Sequence, residues 1–188
     1  MRSTVRFFAG LLAVTLMSTT ATPVFAQQEK PAPVKTNNKN TLIEKYKNQL
    51  KLKASSFWSG WPVTSAFDGN ALSSWFSARG DSAAHRTNPW VEVTFPEDVT
   101  VKRITILGNR EAPWLKGYTI VGGKIEVFDQ SGKTLYKSTE DGIGPASDYD
   151  IRPRAAITRV RTIRFTALGD QGKQNIQEDV AIGEFQVE

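Results

Sequence analysis

Short stretches of this chain alternate apolar and polar residues with a period of two, and turn residues separate them. Trp90-Val91-Glu92-Val93-Thr94-Phe95 is closed by Pro96-Glu97-Asp98, and Val101-Lys102-Arg103-Ile104-Thr105-Ile106-Leu107 ends at Gly108-Asn109. Lys124-Ile125-Glu126-Val127-Phe128 runs into Asp129-Gln130-Ser131-Gly132, and Lys133-Thr134-Leu135-Tyr136 returns as its hairpin partner. Leu50 to Ala54, Val160 to Phe165 and Gly183 to Val187 have the same character. Alternation places one face of each strand in a core and leaves the other wet. Many short strands of this kind, with no internal repeat, predict an antiparallel β-sandwich. One short helix is expected ahead of them. Thr41 and Glu44 are spaced as a capping box, and Leu42, Ile43, Tyr46 and Leu50 share a face. The lysines beside them, Lys45, Lys47 and Lys51, read as a solvated face.

The N-terminal part has a different character. Arg2 and Arg6 precede a mostly apolar run from Phe7 to Met17, and Val24-Phe25-Ala26 gives a small-x-small pattern before Gln27. This predicts a cleaved secretory leader over residues 1–26, since a membrane anchor needs about 20 apolar residues. The mature chain is therefore expected to be secreted or periplasmic, with no stable membrane span. Residues 27–40, QQEKPAPVKTNNKN, are polar and lack periodicity, so they read as a flexible linker to a domain at 41–188.

Charge and composition remove several functions. The formal net charge is +5, but residues 27–53 hold seven Lys against two Glu, and residues 54–188 hold 15 basic against 17 acidic residues. The folded part is thus slightly acidic, whereas a nucleic-acid binder carries its basic stripe on the domain itself. No nucleic-acid partner is expected. The absence of cysteine excludes disulfides and thiolate metal centres, and the single histidine, His85, excludes a His-rich one. His85 has no orienting partner near it in sequence, no phosphate loop or nucleophile elbow occurs, and no pair of carboxylates is singled out. The chain is read as non-enzymatic.

The stretch Ala66-Phe67-Asp68-Gly69-Asn70-Ala71-Leu72-Ser73-Ser74-Trp75 combines carboxylate, amide and hydroxyl oxygens with a glycine that lets the chain curl. Such a loop suits a hard cation, which takes six to eight oxygens. It also suits a plain Asx-type turn ahead of a buried Trp, and local residues do not separate the two. DGN followed by a hydroxyl residue and Trp resembles the discoidin, or coagulation-factor type C, domain, whose members include the family 32 carbohydrate-binding modules. NPWVEVTF, IEVFDQSGKTLY, RVRTIRFTA and AIGEFQVE follow in that family's order, so that the resemblance runs from Ala54 to Glu188. It departs at Thr94-Phe95-Pro96, where the family often has Asp-Leu-Gly.

The resemblance implies a galactose-binding-like jelly roll of about eight strands with a structural Ca2+ where the DGN loop meets the last strand. Its ligands would be Asp68, Ser73, Glu184, and mainly backbone oxygens of Ser65 and Asn70. It also implies glycan binding by loops at one end of the sandwich, with aromatics stacking on a sugar and Arg, His or Asn reading its hydroxyls. The candidates are Trp58 and Trp61 in the first loop, His85 and Arg86 in the loop after Trp75, and Arg110 and Trp114 in a third. Trp75 and Trp90 are assigned to the core. The expected function is an exported module recognising carbohydrate on a cell wall, envelope or matrix. The alternative is a protein-interaction module of the same fold with no working sugar pocket.

Overall fold

A computed structural model of the protein describes residues 41–171 and 178–188, so the expected leader and linker lie outside the described residues. Helix α1, Leu42–Tyr46, is capped by Thr41, whose Oγ1 accepts the Glu44 backbone N–H at 3.2 Å. Ile43 and Tyr46 are buried. The Tyr46 hydroxyl donates to Glu97, and its ring meets Phe95 edge-on, which fixes the helix to the sandwich. Among the described residues no helix is long and apolar enough to cross a membrane.

The strands are β1 Lys51–Ala54, β2 Trp75–Phe76, β3 Trp90–Val101, β4 Ile104–Gly108, β5 Ile120–Phe128, β6 Thr134–Asp141, β7 Tyr149–Ile151, β8 Ile157–Asp170 and β9 Ala181–Val187. They form a five-stranded sheet ordered β1-β3-β8-β5-β6 and a four-stranded sheet ordered β2-β9-β4-β7. Every pairing is antiparallel. The predicted sandwich is therefore present, with nine strands among the described residues where about eight were expected. β2 and β7 are the strands that alternation could not show, being two and three residues long.

The core lies between the sheets. Val91, Val93 and Phe95 of β3, Ile163 and Phe165 of β8, and Ile182, Phe185 and Val187 of β9 are all buried in one cluster. Trp75 joins it at 1% exposure and anchors its indole N–H on the Ser56 carbonyl at 2.9 Å. Phe165 packs edge-on against Tyr149 and so close to β5 that position 123 admits only glycine. A Cβ there would stand 2.2 Å from the Phe165 ring.

Trp90 is not a core residue. Because Val91, Val93 and Phe95 face inward, the pleat turns Trp90, Glu92 and Thr94 to the opposite face. There Trp90 is half-buried beneath the Arg164 guanidinium, 4.4 Å from its ring, and Arg164 also binds Glu92 at 2.6 and 2.9 Å. An arginine lid over the ring supplies the cover that sequence reading had assigned to the core.

Candidate functional site

Two local structures bear on function. The first is an aromatic pocket of about 160 Å³ lined by Trp58, Trp61, Phe76, Trp114, Tyr118 and Asp179. The loop after β1 supplies Trp58 and Trp61. The Trp58 backbone N–H donates to the Phe76 carbonyl at 3.0 Å, and Trp61 N–H turns back onto the Trp58 carbonyl at 3.0 Å. Gly60 allows that turn, at φ +95°. β2 supplies Phe76: with Trp75 pointing into the core, its neighbour must point to the other side.

The loop between β4 and β5 supplies Trp114 and Tyr118, and its shape is set by Asn109. The Asn109 side chain accepts from Ser74 Oγ at 2.9 Å and from the Glu111 N–H at 3.0 Å, and it donates to the Trp114 carbonyl. Trp61 is then held from both sides. Its indole N–H donates to Glu111 Oε1 at 2.8 Å, and its ring packs edge-on against Phe76 and Trp114, with centroids 5.6 and 6.3 Å away. Phe76 meets Tyr118 at 5.0 Å. Trp114 remains 42% exposed at the rim.

Asp179, just ahead of β9, is the charged member of the lining. Burial pushes its carboxyl up to about 6, against smaller opposing effects from backbone hydrogen bonding, the Trp58 side chain and Arg79. Burial and the neighbouring Asp179 likewise push the Tyr118 hydroxyl upward.

The structure thus brings Trp58, Trp61 and Trp114 into one pocket, and it does not bring His85, Arg86 or Arg110 to that lining. Arg110 donates to the Gly108 carbonyl at 2.7 Å and to Asp148 at 2.6 Å. His85 Nε2 lies 2.5 Å from a Glu178 carboxylate oxygen. Arg86 is exposed with φ +62°, ending the short 3-10 turn Ala83–His85. Phe76, Tyr118, Glu111 and Asp179 were missed. Phe76 was legible from the period of two, as the residue beside a core Trp. Asp179 stands immediately before a run buried at every position, but an acid at a strand entry is too common to mark a site.

The second local structure is the Asp68 loop. Asp68 Oδ1 accepts the Asn70 N–H at 2.8 Å, and Ser73 Oγ lies 2.7 Å from Asp68 Oδ2 and 2.9 Å from the Asn70 carbonyl oxygen. Gly69 makes the turn at φ +82°. Ser65 sits on the preceding 3-10 turn, Val63–Ala66, with its N–H on the Pro62 carbonyl. The loop lies against β9, since a Cβ on Gly183 would meet the Ala71 carbonyl at 3.3 Å.

Beside it, Glu184 is 2% exposed. Burial first, and the Asp68 charge second, push its carboxyl up to about 8, while the N–H groups of Gly69, Phe185 and Asn70 act the other way. Its Oε2 is buried with no hydrogen-bond partner among the described residues. Two carboxylates that repel, one of them carrying an orphaned oxygen, together with hydroxyl and carbonyl oxygens, form the donor set a hard cation satisfies. Among the described residues no three His, Asp or Glu side chains group as metal ligands, so a cation held here would need the neutral oxygens as well.

Comparison with known proteins places this geometry among relatives. The sequence model of the F5/8 type C domain matches residues 51–179. The family 32 carbohydrate-binding module of Clostridium perfringens NanJ, solved in complex with galactose, is 20% identical with a TM-score of 0.57, covering 74% of this chain and 93% of that one. A Streptococcus pneumoniae fucose binding module is 14% identical with a TM-score of 0.55, covering 73% and 89%. Chitosan-binding module 1 of a chitosanase/glucanase from Paenibacillus sp. IK-5 is 22% identical with a TM-score of 0.54, covering 73% and 93%. Identities this low establish the shared fold. No curated protein matches the chain.

Proposed function

This chain belongs to the F5/8 type C, or discoidin, domain family, and from that membership we propose that it is an exported, non-enzymatic module that binds carbohydrate on a cell wall, envelope or matrix. The observation that carries the reading is the convergence of three tryptophans from two separate loops on one pocket with an exposed rim. Tryptophan faces suit the C–H face of a pyranose, and an aromatic hollow open to solvent marks a binding surface. The similar modules whose complexes or names involve galactose, fucose and chitosan point the same way. Sugar hydroxyls would be read by the polar edges of the pocket, the Trp58 indole N–H, the Tyr118 hydroxyl and Asp179, in place of the arginine and histidine expected from sequence.

A structural Ca2+ belongs to the same proposal. Asp68, Ser73 and Glu184 would hold it with side-chain oxygens, and Asn70 and Ser65 with carbonyl oxygens. The ion would neutralise the Asp68–Glu184 repulsion and so tie the loop to β9. Export rests on the leader read over residues 1–26.

The test is a glycan array probed with the mature protein and with Trp114→Ala. A sugar signal lost in the variant, with an unchanged melting temperature, supports the reading. No signal from a folded wild-type protein refutes it and leaves a partner protein as the occupant of the pocket.

A further inference from the structure

Away from the aromatic pocket, the chain gathers arginine in one place. Ile151 to Gly169 holds five arginines and no lysine, aspartate or glutamate, although the domain around it is slightly acidic. Two of the five serve the sandwich. Arg161 binds Asp98 and the Pro96 carbonyl, and Arg164 binds Glu92 over the Trp90 ring. The other three, Arg152, Arg154 and Arg159, line an open groove of about 660 Å³ that no acid lines. Its apolar part is Leu135, Tyr136 and Ile157, half-buried side chains packed against the core. The groove lies where the chain crosses from β7, an edge strand of one sheet, to β8, alongside β6, an edge strand of the other.

The acids near these arginines are already engaged. Asp150 binds Arg103 at 2.6 Å as well as Arg152 at 3.1 Å, and Arg103 also reaches Glu188. Asp129 feels the charge of Arg159, but its Oδ1 accepts the Ser131 N–H, the Ser131 hydroxyl and the Lys133 N–H at 2.9, 2.7 and 3.0 Å. Arg152 is thus partly paired, and Arg159 has one acid within range of its field. The Arg154 guanidinium makes no hydrogen bond or ion pair among the described residues. Arg103, Arg152, Arg154 and Arg159 outweigh Asp129, Asp150 and Glu188, and the three acids stand outside the lining.

Arg159 reaches the groove through an irregularity in β8. Between the pairs Val101–Ile157 and Val99–Val160, β8 carries one residue more than β3, and Arg159 within that bulge has φ +59°. Side chains other than glycine seldom enter that region, and a bulge re-aims a side chain that alternation would have sent elsewhere. Planar guanidinium forks match carboxylate and phosphate groups, while a tyrosine with aliphatic neighbours suits a sugar ring. Three forks along an open groove fit oxyanions repeated along a chain better than one small ion. None of the exposed large apolar side chains lines the groove, which leaves a bilayer nothing to hold there.

We propose that this groove is a second binding site, for a polysaccharide whose sugar residues carry carboxylate or phosphate groups. It does not depend on the aromatic pocket. β8 begins at the groove with Ile157 and ends opposite Ile120, two residues from Tyr118 of the pocket wall. At about 3.3 Å per residue the two sites are about 40 Å apart, at opposite ends of the sandwich.

The experiment is calorimetric titration of the full mature chain with three octasaccharides of one linkage, built from mannose, mannuronate or mannose 6-phosphate. At least one acidic chain is expected to bind about tenfold or more tightly than the neutral one at low salt, and the preference should shrink as salt is raised. Arg154→Gln and Arg159→Gln should each weaken acidic-chain binding by about threefold or more, and the double variant should bring it to within about twofold of the neutral chain. The sugar signal of the aromatic pocket should be the same in Arg154→Gln as in the wild type.

Equal affinity for all three octasaccharides overturns this proposal and leaves sugar binding by the aromatic pocket standing. A preference for the acidic chains that survives the double substitution also overturns it, because the oxyanions would then be read elsewhere. Vesicles of phosphatidylglycerol, or a DNA duplex, that bind more tightly than both acidic chains overturn the glycan assignment and give the groove to a membrane or a nucleic acid. Melting curves of each variant establish that loss of binding is not loss of fold.

Discussion

Replacing Asp179 by asparagine should make the protein more stable at neutral pH, and the gain should vanish in acid. Asparagine keeps the shape and an oxygen that the Trp58 indole can face, and it removes only the charge. Burial pushes the Asp179 carboxyl up to about 6, above the ordinary 3.8 of an aspartate. Between those values the native state holds the proton that the unfolded chain has released, so wild-type stability falls as pH rises through the window and stays reduced above it. The shift sets a ceiling of about 3 kcal/mol. Water entering the pocket screens the charge, so a gain of about 1–2 kcal/mol for Asp179→Asn at pH near 7.5 is the expected value. At this chain length that raises the melting temperature by several degrees, roughly 2–4 °C per kcal/mol. Urea titrations followed by tryptophan fluorescence at neutral pH, near pH 5 and below the unfolded pKa should show the wild-type and variant midpoints converging as pH falls. An asparagine variant that is less stable at neutral pH, by an amount independent of pH, would show that the carboxylate is held by partners and that burial does not penalise it.

Other outcomes follow from the same structure. Calcium at a hundredfold excess over its dissociation constant should stabilise the wild type by about 2.7 kcal/mol relative to chelator. Asp68→Ala and Glu184→Gln should each abolish that difference in thermal melts, and a wild type that melts identically in both buffers returns the loop to a plain turn. Gly123→Ala should cost about 1–3 kcal/mol in denaturant titrations, because its Cβ falls 2.2 Å from the Phe165 ring. A loss near zero would mean that β5 and Phe165 separate freely. Trp75→Ala should cost about 3–5 kcal/mol and Trp114→Ala less than about 1 kcal/mol, although both remove an indole, since one is fully buried and the other stands at a rim. Similar losses for the two would misplace the pocket.

Alternation located the long strands, because a half-buried sheet writes its two faces directly into the residue order. It had the information to place Trp90 as well: three inward residues at 91, 93 and 95 commit 90 to the outer face. Preferring hydrophobicity to parity made that error. The three loop tryptophans were legible because Gly and Pro beside an aromatic exclude a strand interior. Their convergence was not, since it depends on Asn109 reaching Ser74 and on Trp61 reaching Glu111 across the fold. The carboxylate partners of Arg110 and His85 were equally hidden. Asp148 and Glu178 are distant in sequence, and nothing local distinguishes an arginine that will meet a carboxylate from one that will meet a sugar. For the Asp68 loop the sequence named the oxygens and the family resemblance named Glu184, and packing showed that this carboxylate is buried beside Asp68.

Strand order also sets a schedule for folding. The centre of the five-stranded sheet is β8, and β9 divides β2 from β4 in the other, so both sheets are joined through the segment Ile157–Val187. Before that segment is synthesised, β3 has no route to β5, β2 has no partner, and Trp75 has little to pack against. A nascent chain of this design stays unlocked until β9 has left the ribosome. For the exported chain proposed above, this is an advantage, because a secretion channel threads only extended polypeptide. In that exported chain the sandwich would close on the far side of the membrane, in one late step that assembles pocket, loop and core together.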